Sequence, residues 1–458
     1  MNRVTKRTWL MSVFILVLVL GMVIFLGEYA VKARNWVVFP GSPHVYNNAN
    51  IGLGTFTDRE GIILLDIAGE RSYAADADVR KSTLHWLGDR KGYISAGAVS
   101  HYAAEMSGFD LINGLYDANG TGGKLQLTLS AEVQKTALKA MNGRKGTVGV
   151  YNYKTGEILC AITTPTYDPD NEPDIKGDTT GAYSGVYVNR FIQSAYIPGS
   201  IFKVVTTAAA LDCVEGIEEM TFTCNGRREY GTEAVTCKKA HGTQNLKQAL
   251  ANSCNCAFSQ IAEQVGRKNM VSYVKKYGIT EPLSFDGITT AKGNYDVSEA
   301  APVSFAWSCI GQYNDLVNPA QYMTFMGAIA NGGSAAKPYL VSLVQGGGEI
   351  TYQAKTSETG ALMTPEVAGV LTEYMRNNVI ATYGAKNFPD VKVCGKSGTS
   401  ELGGDLESNA MFAGFIADDR YPLAFVCVVE GGGAGAKTCV PVLDKVLDAC
   451  MAVLDQNG

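Results

Sequence analysis

The sequence predicts an α+β fold in which one antiparallel sheet takes strands from both ends of a large domain. Residues 147–153 and 157–162 surround a Lys-Thr-Gly turn and indicate a hairpin at the start of this domain. Residues 410–417 and 423–429 indicate a second hairpin near its end, and the segment between the hairpins is largely helical. The apolar pattern of residues 440–454 predicts a closing helix that packs on the sheet.

The chain of 458 residues is long enough for one large domain and a smaller one. We expect four segments: a cytoplasmic tail (1–8), a transmembrane anchor (9–27), a pedestal or linker domain (28–123) and the large domain (124–458). Residues 125–141 carry apolar side chains at helical spacing, so they predict a helix that leads into the large domain.

Residues 9–27 form a continuous apolar run that is long enough to cross the hydrocarbon core of a bilayer as one helix. Arg3, Lys6 and Arg7 precede this run, and such charges favour the cytoplasmic side. The sequence therefore predicts a single-pass protein of the cell membrane whose large domain is extracytoplasmic. A cleaved signal peptide is the alternative, although the run is longer than the usual apolar core of such a peptide.

Several function classes are excluded by composition and by missing patterns. The net charge is -5 and no dense Lys/Arg cluster occurs, which argues against a nucleic-acid partner. Gly395 and Lys396 resemble the end of a phosphate-binding loop, but Asp390 stands where that loop needs its first glycine. A Ser-His-Asp triad is equally unsupported, because no GxSxG turn accompanies the four histidines. These are His44, His85, His101 and His241.

Eleven cysteines are present, so at least one has no partner within the chain. Cys224 and Cys237 flank a turn-rich hairpin that a disulfide could close in an oxidising exterior. Free buried thiols are the alternative, and they are at least as well supported for the other nine. No paired CxxC or HExxH pattern occurs among the few histidines, so we expect no metal site.

Ser200 and Lys203 form an SxxK pair at the start of a predicted helix. Residues three apart lie on one helix face, so the Lys203 amine can reach the Ser200 hydroxyl. If the lysine is buried and neutral, it can take the serine proton and activate the serine as a nucleophile. The pair alone is a weak signal, and its value depends on the motifs that follow it.

Two further motifs follow in order. Ser253 and Asn255 form an SxN pattern that supplies a hydroxyl and a carboxamide. A β-rich segment then carries a cation, two hydroxyls and a glycine that permits close backbone approach, which suits a carboxylate-binding strand beside the nucleophile. Its residues are Lys396, Ser397, Gly398 and Thr399.

The ordered SxxK, SxN and KSG motifs resemble those of the penicillin-binding proteins and serine β-lactamases. Further segments resemble landmarks of the transpeptidase domain, and the similarity covers most of the chain from about residue 124 onward. The landmark segments are 189–191, 311–312, 318–321 and 411–415. The chain is most similar to class B, monofunctional penicillin-binding proteins of the penicillin-binding protein A type. This resemblance implies the antiparallel sheet flanked by helices that those proteins share.

The resemblance also implies a peptidoglycan D,D-transpeptidase that β-lactams inhibit. Ser200 is expected to attack the bond between the terminal D-alanines of a stem peptide, with Lys203 as general base. Ser253 would relay a proton to the leaving amine, and Asn255 would hold Lys203 and the substrate amide. The backbone N–H groups of Ser200 and Thr399 would form the oxyanion hole. The carboxylate would be bound by Lys396, Ser397 and Thr399, with no cofactor.

Other members of the superfamily remain as alternatives. A D,D-carboxypeptidase differs only in using water as the acceptor. A class A β-lactamase needs a deacylating glutamate loop, and the nearest match, which begins at Glu281, lacks the asparagine of that loop. A β-lactam sensor needs a cytoplasmic signalling region, for which we expect the short tail to leave no room.

The partners implied by the resemblance are peptidoglycan stem peptides, lipid-linked nascent glycan and β-lactams as inhibitors. The pedestal has no segment that resembles a glycosyltransferase domain. A multi-spanning glycosyltransferase of the shape, elongation, division and sporulation (SEDS) family is therefore the expected partner. An independent cross-linker that acts on finished strands is the alternative.

Three positions depart from the commonest family pattern. Cys254 fills the middle of the SxN motif, and Ser397 replaces a threonine but keeps the hydroxyl. Tyr313 follows Gly311-Gln312 where glycine is usual.

Overall fold

The computed structural model of the chain describes residues 2–37, 54–68, 70–107, 109–110, 114–115, 122–404 and 406–457. His44 and parts of the predicted pedestal lie outside the described residues.

The α-helices and strands are numbered in chain order. The helices are α1 (Asn2–Val37), α2 (Ala77–Leu87), α3 (Gly97–His101), α4 (Ala103–Met106), α5 (Ala131–Met141), α6 (Arg190–Gln193), α7 (Lys203–Cys213), α8 (Leu246–Ala251), α9 (Asn255–Val265), α10 (Arg267–Lys276), α11 (Pro302–Ser308), α12 (Pro319–Ala330), α13 (Pro365–Asn378) and α14 (Gly435–Asn457). The strands are β1 (Gly54–Thr57), β2 (Ile63–Asp66), β3 (Ser72–Tyr73), β4 (Phe109–Asp110), β5 (Gly114–Leu115), β6 (Gly123–Leu127), β7 (Gly146–Asn152), β8 (Ile158–Thr164), β9 (Thr221–Cys224), β10 (Arg227–Tyr230), β11 (Glu233–Thr236), β12 (Gly242–Asn245), β13 (Ser284–Phe285), β14 (Ile288–Thr289), β15 (Val341–Gly346), β16 (Glu349–Gln353), β17 (Val393–Ser400), β18 (Asn409–Ile416) and β19 (Leu423–Val429). Two 3₁₀ turns (Gly199–Phe202 and Ala385–Asn387) and a π-helical turn (Val379–Tyr383) complete the set.

The predicted α+β architecture is confirmed. Five antiparallel strands form the central sheet in the order β17-β18-β19-β7-β8, so strands from both ends of the large domain meet in its middle. Helices α5 and α14 pack on one face, and α12 packs on the other. The strands β7, β8, β18 and β19 are buried along their whole length because helices cover both faces. Both predicted hairpins and the closing helix are present.

The prediction of one helix over residues 125–141 is wrong in its first part. Leu125 and Leu127 lie in the strand Gly123–Leu127, and the helix begins only at Ala131. Leu125 and Leu127 are buried, whereas Lys124 between Gly123 and Leu125 is exposed, which is the alternation of a strand. The pairing partners of this strand, β1 and β15, are distant in sequence, so helical spacing alone could not reveal it.

A second sheet joins the N-terminal segment to the large domain. Its order is β16-β15-β6-β1-β2-β3, and only the β1–β6 pair within it is parallel among the pairs described. Asp286 connects the two parts, because its carboxylate accepts hydrogen bonds from the Tyr102 hydroxyl (2.7 Å) and from the backbone N–H groups of Leu340 (2.6 Å) and Val341 (3.0 Å). The boundary near residue 123 stays a prediction.

Helix α1 contains the predicted anchor. Within the described residues, Arg3–Ala33 is the stretch that is long and apolar enough to cross a membrane. The side chains of its apolar window are not buried against the rest of the chain, as expected of a segment whose solvent is lipid.

Candidate active site

Ser200 lies in the 3₁₀ turn that leads directly into α7, close to the helix start that the sequence predicts. The turn is held from two sides. The Gly199 N–H donates to the Gly311 carbonyl (2.8 Å), and the Tyr322 hydroxyl donates to the Ile201 carbonyl (2.7 Å). The backbone that carries the Ser200 hydroxyl is therefore anchored to two other segments.

Lys203 is the centre of the site. Its Nζ lies 2.9 Å from Ser200 Oγ, 3.1 Å from Ser253 Oγ, 2.8 Å from the Ser253 carbonyl and 2.7 Å from Asn255 Oδ1. The side chain is fully buried, and its Nζ lies 5.6 Å from the centre of the Phe258 ring. The structure thus brings the SxxK and SxN residues together around one amine.

The environment of Lys203 favours the neutral amine. Burial lowers the pKa of Lys203 well below its usual value, and the nearby charge of Lys396 lowers it further. A neutral amine donates two hydrogen bonds and accepts one, whereas an ammonium can only donate. The neutral form can therefore donate to the carbonyl oxygens of Ser253 and Asn255 while it accepts the hydroxyl proton of Ser200.

The SxN loop is held in an uncommon conformation. Ser253 has a φ of 49°, in the left-handed region that non-glycine residues seldom adopt. The next residue, Cys254, caps the N-terminus of α9, because its thiol accepts from the backbone N–H of Ala257. Asn255 Nδ2 donates to the Thr236 carbonyl (2.9 Å), which leaves Asn255 Oδ1 directed at Lys203.

Strand β17 supplies a second buried amine. Lys396 Nζ lies 3.1 Å from Ser253 Oγ and 2.9 Å from the Ser397 carbonyl. Burial lowers the pKa of Lys396 to about 7. The Ser253 hydroxyl therefore lies between the two lysine amines, and hydrogen bonds connect five of the predicted residues into one network: Ser200, Lys203, Ser253, Asn255 and Lys396.

The other predicted residues of β17 lie beside this network. Gly398 is pressed against the nucleophile turn: a Cβ at this position would lie 2.8 Å from the Pro198 carbonyl oxygen and 3.2 Å from the Ile201 nitrogen. Gly199 has a φ of 54°, and a Cβ there would meet the Thr399 carbonyl at 2.5 Å. The close contact between the two backbones requires glycine on both sides.

Tyr383 is a site residue that the sequence analysis missed. Its hydroxyl accepts from the Ser397 N–H (3.0 Å) and lies 3.1 Å from Ser397 Oγ. Tyr383 ends the π-helical turn after α13, and such turns are frequent at functional sites. No short motif surrounds Tyr383, so only its tertiary placement connects it to the KSG strand.

Tyr313, which stands where the family usually has glycine, adopts a backbone conformation typical of glycine. Tyr313 has a φ of 87°, a backbone conformation that favours glycine, and its side chain is exposed. A bulky residue held there carries a conformational cost of about 1–3 kcal/mol. The neighbouring Gln312 lies at the edge of the site, with its amide nitrogen 3.5 Å from the Thr399 carbonyl.

The disulfide that the hairpin allowed between Cys224 and Cys237 is not formed, because both thiols are free in the structure. The Cys237 sulfur lies instead 3.7 Å from that of Cys254, the middle residue of the SxN motif. The turn-rich hairpin exists as strands β10 and β11, but it directs Cys237 toward the active-site loop.

Comparison with known proteins identifies the family of this chain. The family described as penicillin binding protein transpeptidase domain matches residues 146–448. A peptidoglycan D,D-transpeptidase PbpA from Mycolicibacterium smegmatis is 28% identical over 75% of this chain and 76% of its own length. Stage V sporulation protein D from Bacillus subtilis is 25% identical over 85% of this chain and 60% of its own length.

Solved structures share the fold. The D,D-transpeptidase domain of a peptidoglycan glycosyltransferase from Eggerthella lenta superimposes with a TM-score of 0.75 at 24% identity, over 88% of this chain and 99% of its own. Penicillin-binding protein A from M. tuberculosis, solved as a ceftriaxone acyl-enzyme, gives a TM-score of 0.76 at 23% identity, over 87% of this chain and 98% of its own.

The contact at Gly398 predicts that Gly398→Ala destabilises the protein. The added methyl group meets backbone atoms that cannot move independently, so we expect the free energy of unfolding to fall by about 1–3 kcal/mol. Gly369→Ala is the matched control, since Gly369 lies in α13 with open space around its Cβ position. That variant should gain about 0.5–1 kcal/mol. Denaturant unfolding of both variants measures the difference, and an equal response would contradict the tight contact.

Proposed function

Since the chain belongs to the penicillin binding protein transpeptidase family, we propose that it is a peptidoglycan D,D-transpeptidase that acts through an acyl-enzyme on Ser200. Membership of this family confirms the resemblance found in the ordered motifs. The observation that carries the proposal is the 2.9 Å contact between the buried Lys203 amine and the Ser200 hydroxyl. A serine hydroxyl in contact with a neutral amine is an activated nucleophile.

In the first half-reaction, Ser200 Oγ attacks the carbonyl carbon of the peptide bond between the terminal D-alanines. Lys203 Nζ takes the hydroxyl proton as the new C–O bond forms. The backbone N–H groups of Ser200 and Thr399 stabilise the negative oxygen of the tetrahedral intermediate. The close packing of Gly199 against the Thr399 backbone supports this assignment, because it brings the two segments together.

Ser253 is proposed to return the proton. Its hydroxyl lies 3.1 Å from the amines of both Lys203 and Lys396, so it can accept a proton from Lys203 while it passes its own proton to the leaving nitrogen. The C–N bond then breaks, D-alanine leaves as a neutral amine, and the acyl ester on Ser200 remains. Asn255 holds the Lys203 amine and presents its amide to the substrate backbone.

The terminal carboxylate of the donor stem is assigned to Lys396 and to the hydroxyls of Ser397 and Thr399. A cation beside hydroxyl donors provides charge-assisted hydrogen bonds. The same grouping fits the carboxylate of a β-lactam, which is the basis for inhibition by covalent penicillin binding. In the second half-reaction, the amine of a neighbouring stem attacks the ester, Ser200 regains its proton through Lys203, and a cross-link forms.

We assign the anchor to α1, with the catalytic domain outside the cytoplasm, because Arg3, Lys6 and Arg7 precede the apolar stretch. The substrates are then nascent glycan and its stem peptides at the outer membrane surface. A SEDS-family glycosyltransferase is the proposed partner that polymerises this glycan.

Two measurements address topology and partnership. Protease added to intact spheroplasts should digest the domain and spare a reporter at the N-terminus, and a protected domain would reverse the assigned topology.

In mild detergent the full chain should co-purify with a SEDS glycosyltransferase, and exchange of residues 9–27 for an unrelated spanning helix should reduce recovery. Normal cross-linking without any recovered polymerase would favour an independent enzyme.

The central experiment is covalent labelling with a fluorescent penicillin. The full chain should be labelled on one serine, and Ser200→Ala should abolish labelling because the attacking oxygen is missing. Ser298→Ala is the matched control, since Ser298 is exposed and its hydroxyl bonds only to the neighbouring Asp296 among the contacts described. Retained labelling of Ser200→Ala, or a labelled peptide that excludes Ser200, would refute the mechanism.

The pKa of Lys396 predicts the pH dependence of labelling. A lysine is charged below its pKa, so Lys396 loses the charge that binds the carboxylate as pH rises through about 7. The second-order rate constant reports the free enzyme, and we expect it to fall between about pH 7 and pH 9. Lys396→Arg should remove this decline, because arginine stays protonated, even if its overall rate is lower. An unchanged decline in Lys396→Arg would assign the titration to another group.

A further inference from the structure

Four side chains next to the SxN loop form a cluster, here called the thiol cluster: Cys224, Cys237, His241 and Cys254. One ligand atom from each lies within 4.8 Å of the others. Cys224 and Cys254 are buried, and the other two are partly exposed. We propose that the thiol cluster binds one zinc ion in a tetrahedral Cys₃His site that holds the SxN loop in place.

The distances within the thiol cluster suit a shared ion. The sulfurs of Cys237 and Cys254 are 3.7 Å apart, and the Cys224 sulfur lies 3.5 Å from Nδ1 of His241. Zinc–sulfur bonds of about 2.3 Å and zinc–nitrogen bonds of about 2.0–2.1 Å, at tetrahedral angles, separate two sulfurs by about 3.8 Å and sulfur from nitrogen by about 3.5 Å. A disulfide requires about 2.05 Å. The observed separations are those of ligands around a common centre.

Local structure gathers these ligands. Cys224 ends β9, His241 precedes β12, and β9 pairs with β12, so the two residues meet at one end of a small ribbon. The His241 N–H donates to the Cys224 carbonyl (3.1 Å), and the Cys237 N–H donates to the Gly226 carbonyl (2.9 Å). Cys254 approaches from the start of α9. The ligands therefore come from three rigid segments rather than from one flexible loop.

Backbone donors around the sulfurs suit thiolates. The Cys256 N–H points at the Cys237 sulfur (3.3 Å), and the Ala257 N–H points at the Cys254 sulfur (3.4 Å). Outer hydrogen bonds of this kind orient ligands and are common around bound metals. Three thiolates and one imidazole match the preference of zinc rather than that of magnesium or calcium, which take oxygen ligands.

The expectation of no metal site rested on the absence of paired CxxC and HExxH patterns from the sequence. The four ligands instead follow the spacing C-x₁₂-C-x₃-H-x₁₂-C. Four protein ligands leave no open position, so the ion would be structural. Zinc would displace the three thiol protons, and its binding energy would contribute to the stability of this region.

The position of Cys254 connects the thiol cluster to catalysis, and this step rests on the proposed function. Cys254 lies between Ser253, whose φ is 49°, and Asn255. Asn255 also donates to the Thr236 carbonyl (2.9 Å), and Thr236 immediately precedes Cys237. An ion that joins Cys237 to Cys254 would hold both sides of this hydrogen bond, so the cluster residues act as positioning residues for Ser253 and Asn255.

Metal analysis tests the site directly. The full chain, purified in mild detergent without added metal, should contain about one zinc ion per chain by mass spectrometric elemental analysis. Cys224→Ser and His241→Ala should lose most of it, whereas Cys213→Ser, which replaces a cysteine outside the cluster, should keep it. Cobalt exchanged into the unmodified chain should give thiolate-to-cobalt charge-transfer absorption, a result that does not depend on variant folding.

Three results would contradict the proposed zinc site. Absence of stoichiometric metal from the unmodified chain, together with no cobalt spectrum, would overturn the site. A disulfide would instead reduce the count of titratable thiols in the denatured chain by two, and this too would overturn it. Zinc retained in both ligand variants would place the ion elsewhere.

Penicillin labelling separates the positioning role from the metal site. Removal of zinc by a chelator should lower the labelling rate by about 100-fold, the effect of misplacing catalytic groups by about 1 Å, and added zinc should restore it. An unchanged rate would refute the positioning role. Ser200→Ala should keep its zinc although it is not labelled, so failure of the proposed function would not alter the metal result.

Discussion

The site depends on burying two lysine amines side by side. Lys203 and Lys396 are both fully buried, and among the described residues no carboxylate is a partner of either amine. A paired carboxylate would hold Lys203 in its charged form, which cannot take a proton. The oxygens around Lys203 instead belong to the uncharged groups of Ser200, Ser253 and Asn255. Because no negative charge offsets the burial, the Lys203 amine is neutral and can therefore accept the Ser200 proton.

Much of this arrangement could be predicted from the sequence because it depends on short-range chemistry. The spacing of Ser200 and Lys203 brings them together within one helical turn, and alternating or continuous apolar runs identify the strands of the central sheet. The order of the three motifs then indicates which distant segments must meet. The helix and strand predictions failed near Leu125, where a short strand pairs with partners more than 60 residues away.

The features that were missed all depend on tertiary placement. Tyr383 meets Ser397 because a π-helical turn brings its hydroxyl to β17, and no local pattern marks that contact. Cys224 and Cys237 suggested a disulfide because they flank a hairpin, whereas Cys254 approaches from the start of α9. Pairwise spacing cannot identify a site whose ligands are contributed by three separate segments.

The order of strands in the central sheet also determines how late the active site can form. Strand β7 pairs with β8, its neighbour in sequence, and with β19, which lies near the end of the chain. Until β19 has emerged during synthesis, the inner edge of β7 has unpaired backbone groups and is open to association with other chains. Pairing of such distant segments gives the domain a high contact order, which slows folding. Ser200 and Lys396 are nearly 200 residues apart in the sequence, so the active site forms only when this slow pairing is complete.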